Sequence, residues 1–428
     1  MKFLSSLICA ILFSAQTLSA APFAYVANSG DNTVSVIDTS TNTVVGSPIP
    51  VGTDPLSIAI TPDGQFAYVV NAVSNNVSVI DLATNTTLGS PIGVGVFPQS
   101  IAITPNGKFA YVVNSDSSTV SVIDLSTNTV TGSPISVGLL PFSIAIIPNG
   151  SFAYVTNFGA NTVSVIDLSS NSVTGSPISV GAGPDDIAIT PNGLFAYVIN
   201  TNAATISVID LSTNMVTGSP ILLGAGSHDM AITPDGKFAY VTNGASDDLS
   251  IIDLSTNMIV GSPILLPAGS FPIEIAITAN GKIAYVSYFS LNEVGIIDLT
   301  SNSASGSPIL VGSSPFGIAI APFLFQPLQF HGKVIKHHGK YKLKAEWLPS
   351  NSPNIVAYEI FAFDKLLATI PSSKPLVFKK TLHTRHTNRS HWEKKFKKYL
   401  NTKYKVRAVD SNNARSEFTQ LGIQSFLN

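Results

Sequence analysis

Short runs in which apolar and polar residues alternate, each closed by a turn signal, fill the first three quarters of the chain. Phe23-Ala-Tyr-Val-Ala-Asn28, Val34-Ser-Val-Ile-Asp38, Gly46-Ser-Pro-Ile49 and Ile58-Ala-Ile-Thr61 are short and rich in β-branched and aromatic residues. A period of two over such lengths predicts half-buried strands, and the Pro-Asp-Gly and Ser-Thr-Asn segments between them predict tight hairpins. The four elements then recur. Phe66, Phe109, Phe152, Phe195 and Phe238 restart the first run every 43 residues, and Ile283 opens a degenerate copy after an interval of 45. A four-stranded unit of this size is a propeller blade. The pattern therefore predicts an all-β fold: a seven-bladed β-propeller of four-stranded blades over residues 22–321, followed by a small β-sandwich.

The units lack the Gly-His and Trp-Asp pairs of a WD40 blade. They resemble instead the YVTN propeller family, whose signature stands at Tyr154-Val155-Thr156-Asn157 and Tyr240-Val241-Thr242-Asn243. That resemblance implies an extracytoplasmic propeller with surface or binding roles and a distant structural likeness to lactonases. It also implies that the Ile-Ala-Ile-Thr strand lies innermost in each blade. The chain then begins mid-blade at Phe23 and ends on an unpaired inner strand, Gly317 to Ala321, which is expected to pair with the first strands and close the ring.

Composition and charge divide the chain. Only 11% of residues are charged, against about 25% in an average soluble domain. Residues 22–322 carry 19 acids, 3 lysines and no arginine, a net charge of −16, whereas residues 323–428 carry 19 basic residues and 6 acids, a net of +13. Residues 322–327 read as a linker and 328–428 as a basic module similar to a fibronectin type III sandwich, with Trp347 and Tyr404 as expected core residues. Residues 1–21 read as a signal peptide: Lys2, an apolar run from Phe3 to Phe13, then small residues. That run is too short to span a bilayer, so no transmembrane segment is expected after cleavage. The protein is expected to be exported, to the periplasm, the cell surface or the medium. The single cysteine, Cys9, falls inside the leader, which excludes a disulfide scaffold and cysteine chemistry from the mature chain.

Repetition separates structure from function, because a residue present in every blade serves the blade. The seven aspartates from Asp38 to Asp298 that end the third strands are expected to accept turn hydrogen bonds. Departures are more informative. Two positions beside the inner strand read Leu56-Ser57, Gln99-Ser100 and Phe142-Ser143, then Asp185-Asp186, His228-Asp229 and Ile273-Glu274, and finally Phe316-Gly317. With Asp247, Asp248, Tyr288 and Glu293 on the neighbouring loops, these acids form an expected binding patch on the channel mouth: Asp185, Asp186, His228, Asp229, Asp247, Asp248, Glu274, Tyr288 and Glu293. Hard oxygen ligands there would suit Ca²⁺, and carboxylates beside a histidine would suit acid–base work. A solvated rim that keeps a sparsely charged propeller soluble is the plainer reading. No catalytic residue is assigned, and no cofactor is expected other than the Ca²⁺ alternative.

A phosphosugar lactonase is disfavoured because nothing in the ring would clamp a phosphate. In the second module Lys379, Lys380, Arg385, Arg389, Lys394, Lys395, Lys397 and Lys398 are interleaved with aromatics, a pattern that suits an anionic partner. The leader favours a cell-envelope glycan or anionic surface over nucleic acid, against the alternatives of a solvated face and docking on the chain's own propeller. The expected function is non-enzymatic binding or scaffolding, with channel-mouth loops and basic module as contact surfaces to protein or envelope. The rival is a calcium-dependent hydrolase or lactonase using Asp185, Asp186, Asp229 and Glu274.

Overall fold

The computed structural model describes residues 23–321, residue 225 excepted, and the backbone of seven strands between residues 331 and 420. The chain divides into two compact units, one spanning 21–324 and the other carrying the residues from 325 onward. The expected leader and linker and the basic positions Arg385, Arg389, Lys394, Lys395, Lys397 and Lys398 lie outside the described residues; Lys379 and Lys380 fall on the strand Leu376–Leu382.

The first unit is a seven-bladed propeller. In blade 2 the inner strand Pro55–Ile60 pairs with Phe66–Asn71, then Asn76–Asp81, then the outer strand Thr86–Gly93. Blades 3 to 7 repeat this order from Pro98, Pro141, Pro184, Ser227 and Pro272. Blade 1 is shared between the two ends of the repeat. Pro315–Ile320 is its inner strand and pairs antiparallel with Phe23–Asn28, placing Ala24 opposite Ile320 and Val26 opposite Ile318. In five blades the outer strand is split at Gly-Ser-Pro, where glycine takes positive φ, as at Gly46 (70°), and proline has no N–H to give to the ladder. The only helix among the described propeller residues is one 3₁₀ turn, Thr201–Ala203.

Apolar residues on both faces of the middle strands build seven cores, one at each junction between neighbouring blades. Tyr25, Val34, Val36, Ile49, Ile58, Val69 and Ile80 fill the junction of blades 1 and 2, while Ala24, Val26, Ile37, Tyr285, Val294, Ile309 and Ile318 fill the junction that closes the ring. Each buried Val, Ile or Tyr contributes about 1.5–3 kcal/mol, so every junction is a substantial core. A polar tie accompanies each one. The tyrosine of one blade's second strand donates to an asparagine in the next blade's outer hairpin: Tyr25 to Asn85, Tyr68 to Asn128, and so round to Tyr285 to Asn42, at 2.5–2.9 Å. Those asparagines hold φ of 52–56°, so one residue type supplies both the left-handed turn and the acceptor. The repeat aspartates do what their ubiquity implies: the carboxylate of Asp124 accepts from the backbone N–H (2.9 Å) and hydroxyl (2.6 Å) of Ser126.

In the second unit, His331–His337, Lys340–Trp347 and Leu376–Leu382 form a three-stranded sheet. Lys365–Pro371, Ile355–Ala362, Tyr404–Asp410 and Thr419–Gln420 form a four-stranded one.

Candidate functional site

The inner strands meet around the channel, and each begins with an irregularity. In blade 5, Pro184 faces Asn200 and Ile187 faces Val198, so the two residues Asp185 and Asp186 stand opposite Ile199 alone. Such a bulge bends the strand and re-aims its side chains. Blades 4, 6, 7 and 1 bulge at the same place, whereas blades 2 and 3 bulge one residue earlier and keep Ser57 and Ser100 in register. In blades 4, 6 and 7 a hydroxyl on the second strand receives the freed N–H: Thr156 from Ser143, Thr242 from Asp229 and Ser287 from Glu274, at 2.9–3.0 Å.

The bulges bring Asp186, Asp229 and Glu274 together. Ser143 donates its hydroxyl to Asp186 Oδ1 at 2.9 Å, and the N–H of Met230 on the next blade donates to Asp186 Oδ2 at 3.2 Å. Asp229 Oδ2 accepts from the N–H of Ile275 at 2.8 Å, and Glu274 from that of Ile318. The carboxyls of Asp186 and Asp229 also lie close enough to share a hydrogen bond when either is protonated. Protein encloses all three groups, although the channel leaves each a narrow path to water. Burial pushes Asp186 up to about 6, against the lowering effect of the Ser143 hydroxyl. Burial, followed by the charges of Asp186 and Glu274, raises Asp229 well above the usual carboxylate range. Burial, aided by the charge of Asp186, carries Glu274 up to about 8.

Above them lies the mouth. His228 Nδ1 stands 3.5 Å from Asp185 Oδ2, which also accepts from the Thr201 hydroxyl at 3.2 Å. The His228 ring lies over Gly244, where an added Cβ would come within 3.0 Å of its Cδ2. It packs on Phe271 at 5.5 Å between centroids, and Phe271, Phe289 and Phe316 continue as an edge-to-face series at 6.4 Å spacings. The cavity below has a volume of about 150 Å³. Carboxyls, serines, Gln99, His228 and the side chains of Leu56, Phe142, Ile273 and Phe316 line it, and none of its lining residues is Lys or Arg. A larger depression, of about 480 Å³, lies on the outer edge between blades 1 and 2 and has no titratable group in its lining.

Five of the nine expected patch residues therefore share one cavity: Asp185, Asp186, His228, Asp229 and Glu274. The other four stand apart from it. Asp247 accepts from the N–H groups of Gly269 and Phe271 and the hydroxyl of Ser270, which holds the enlarged loop of blade 7 in shape. Asp248 accepts from Asn243 at 2.6 Å. Glu293 opens the third strand of blade 7 opposite Tyr288, and Tyr288 is buried, its hydroxyl lying over Gly295 where other blades carry serine. Sequence reasoning placed Phe289 beside the patch but did not assign Ser143, Thr201, Phe271 or Phe316 to the site. In blades 4, 6 and 7 the available signal was a hydroxyl, Thr156, Thr242 or Ser287, before the signature asparagine or Tyr288, where blades 2 and 3 carry Val70 and Val113; blades 5 and 1 have the same wide bulge beside Ile199 and Ala27 and gave no such sign. Among the described residues, no three His, Cys, Asp or Glu side chains are arranged to hold a metal ion.

Fold and cavity together define a seven-bladed propeller with an acidic, aromatic-rimmed channel mouth. The chain belongs to the YNCE-like beta-propeller family, whose profile matches residues 5–323. Comparison with curated proteins finds no match. Among solved structures, the Kuenenia stuttgartiensis hydrazine synthase is 25% identical, with a TM-score of 0.56 over 62% of this chain and 90% of that one. The periplasmic gluconolactonase of Pseudomonas aeruginosa is 16% identical, with a TM-score of 0.59 over 71% and 99%. A putative 6-phosphogluconolactonase from Bacteroides uniformis is 19% identical, with a TM-score of 0.59 over 70% and 99%. The two lactonase likenesses concern the fold alone.

Proposed function

We propose that the protein is an exported, non-enzymatic binding or scaffold propeller, and that a cationic group on its partner seats at the mouth formed by Asp185, His228 and the phenylalanine rim. The observation that carries this reading is how the deep carboxyl oxygens are used. Asp186, Asp229 and Glu274 each accept a backbone N–H from the next inner strand, while Asp185 faces the mouth. The Asp185 carboxylate then sets a negative potential at a mouth whose lining holds no lysine or arginine. Phenylalanine faces favour a cation over the ring as well. The three-plus-four strand order of the second unit supports a fibronectin type III-like module. Its positive charge makes it a second contact surface, for an anionic envelope component.

The lactonase reading keeps one observation in its favour. A hydrogen-bonded carboxyl pair, Asp186 with Asp229, could act as acid and base on a lactone. Calorimetric titration of the mature chain with tetralysine, with Ca²⁺ and with δ-gluconolactone separates the two. Saturable tetralysine binding that Asp185→Asn weakens is the expected result. Lactone turnover that Asp186→Asn with Asp229→Asn abolishes, with no tetralysine binding, would overturn the binding reading.

A further inference from the structure

Three consecutive blade junctions share a device that the other four lack. In each, a carboxyl on one inner strand accepts the N–H of the next inner strand: Asp186 from Met230, Asp229 from Ile275, Glu274 from Ile318. The equivalent positions elsewhere hold Ser57, Ser100, Ser143 and Gly317. Ser143 adds its hydroxyl to Asp186, so the series runs from blade 4 to blade 1. Its last member grips Pro315–Ile320, the strand that closes the ring without a covalent link to the strand it pairs with.

The series is a chain of like groups in a space without a lysine or arginine. Asp185 and His228 face it from the mouth side of blades 5 and 6. The inner strands of blades 1 to 4 contribute Leu56, Ser57, Gln99, Ser100, Phe142, Ser143 and Phe316, none of them titratable. The second strands behind contribute the hydroxyls of Thr156, Thr242 and Ser287. Three adjacent carboxylates cannot all be charged there without mutual repulsion. We propose that Asp186, Asp229 and Glu274 form a proton-loaded clasp on the ring, and that removing its protons loosens the junctions from blade 5 to the closing strand. The raised affinities of Asp186 and Glu274 for protons set the direction and window. The folded chain holds protons that the unfolded chain releases, so the clasp stabilises fully below the ordinary carboxylate range. It weakens as pH rises through about 6 and then about 8.

The test is hydrogen–deuterium exchange of the mature full chain between pH 5 and pH 9. Peptides covering 315–320 and 23–28 are compared with peptides covering 98–103 and 109–114 in blade 3, which has no clasp. Dividing one by the other, after correction for intrinsic exchange, removes the general effect of pH. The expected result is a closing-strand exchange rate that rises about tenfold relative to blade 3, with a fall in Tm on the order of 5 °C. Glu274→Gln should flatten both. If that variant does not fold, the wild-type ratio still decides: a ratio constant across the range overturns the proposal, as does a Tm slope that Glu274→Gln leaves unchanged. No ligand enters the measurement, so its failure would leave the binding reading standing.

Discussion

Gly317 occupies the position filled by serine in three blades and by acids in three others, so repeat logic alone would make Gly317→Ser a stabilising repair. The geometry of the closing seam says the reverse. A Cβ on Gly317 would lie 2.5 Å from the Leu56 carbonyl oxygen and 3.0 Å from Ser57 Cα. Both are backbone atoms of the neighbouring inner strand and cannot swing aside. Overpacking of this kind costs about 1–3 kcal/mol. Displacing the seam also stretches the bond from the adjacent Ile318 N–H to Glu274, worth about 1 kcal/mol more. Removing a glycine from the unfolded chain returns about 0.4–1 kcal/mol, which leaves a net loss of about 1–3.6 kcal/mol. For a propeller of this size that corresponds to about 2–6 °C in Tm. Circular-dichroism melting and urea midpoints of wild type and Gly317→Ser measure it, with Ser57→Gly and Ser100→Gly as controls expected to lose under about 1 kcal/mol. A Gly317→Ser protein that melts at or above wild type would refute the reading that the backbone of the neighbouring inner strand leaves no room for a side chain at this position.

Two further substitutions test other junctions. Gly295→Ser puts a side chain where the Tyr288 hydroxyl lies, so it should cost more than about 2 kcal/mol in chemical denaturation; Tyr288→Asn in the same chain should recover much of that loss, and simple additivity of the two would show the pair to be independent. Tyr111→Phe removes the 2.5 Å tie to Asn171 while keeping the ring packed. A loss of about 0.5–1.5 kcal/mol in the urea midpoint is expected, and no change would show that the tie is replaced by water at little cost.

The fold was legible because it is written seven times. A single Phe-Ala-Tyr-Val-Ala-Asn run could belong to many sheets, but its return every 43 residues fixes the unit, and the missing first inner strand at Phe23 fixes where the ring must close. The ring of ties from tyrosine to asparagine was not legible, since Tyr25 and Asn85 are 60 positions apart and each has an adequate local explanation. The candidate site was half legible. The departures at Asp186, Asp229 and Glu274 pointed to the right cavity, but the nearby acids Asp247 and Asp248 looked equivalent in sequence. What separates them is the direction of the side chain. A bulge on the inner strand aims Asp186 at the channel, whereas Asp247 sits at φ 52° in a loop and turns onto the backbone of the loop Gly269 to Phe271 ahead of the next inner strand. Charge counts carry no such direction.

That separation by depth also decides how the acids divide their work. A carboxyl that already accepts a backbone N–H from the next blade gains less from a ligand than one at the rim, because binding must first break what it has. Asp186, Asp229 and Glu274 therefore govern whether the ring holds, and their substitution should register chiefly in stability and its pH dependence. Asp185 and His228, stacked beside Phe271 and open to the mouth, are the groups a partner can reach without disturbing the junctions. The same seven-fold repeat makes both roles affordable: with four junctions left in their plain serine or glycine form, three can carry buried acids, and one rim can be acidic and aromatic, without loss of the blade pattern that holds the ring together.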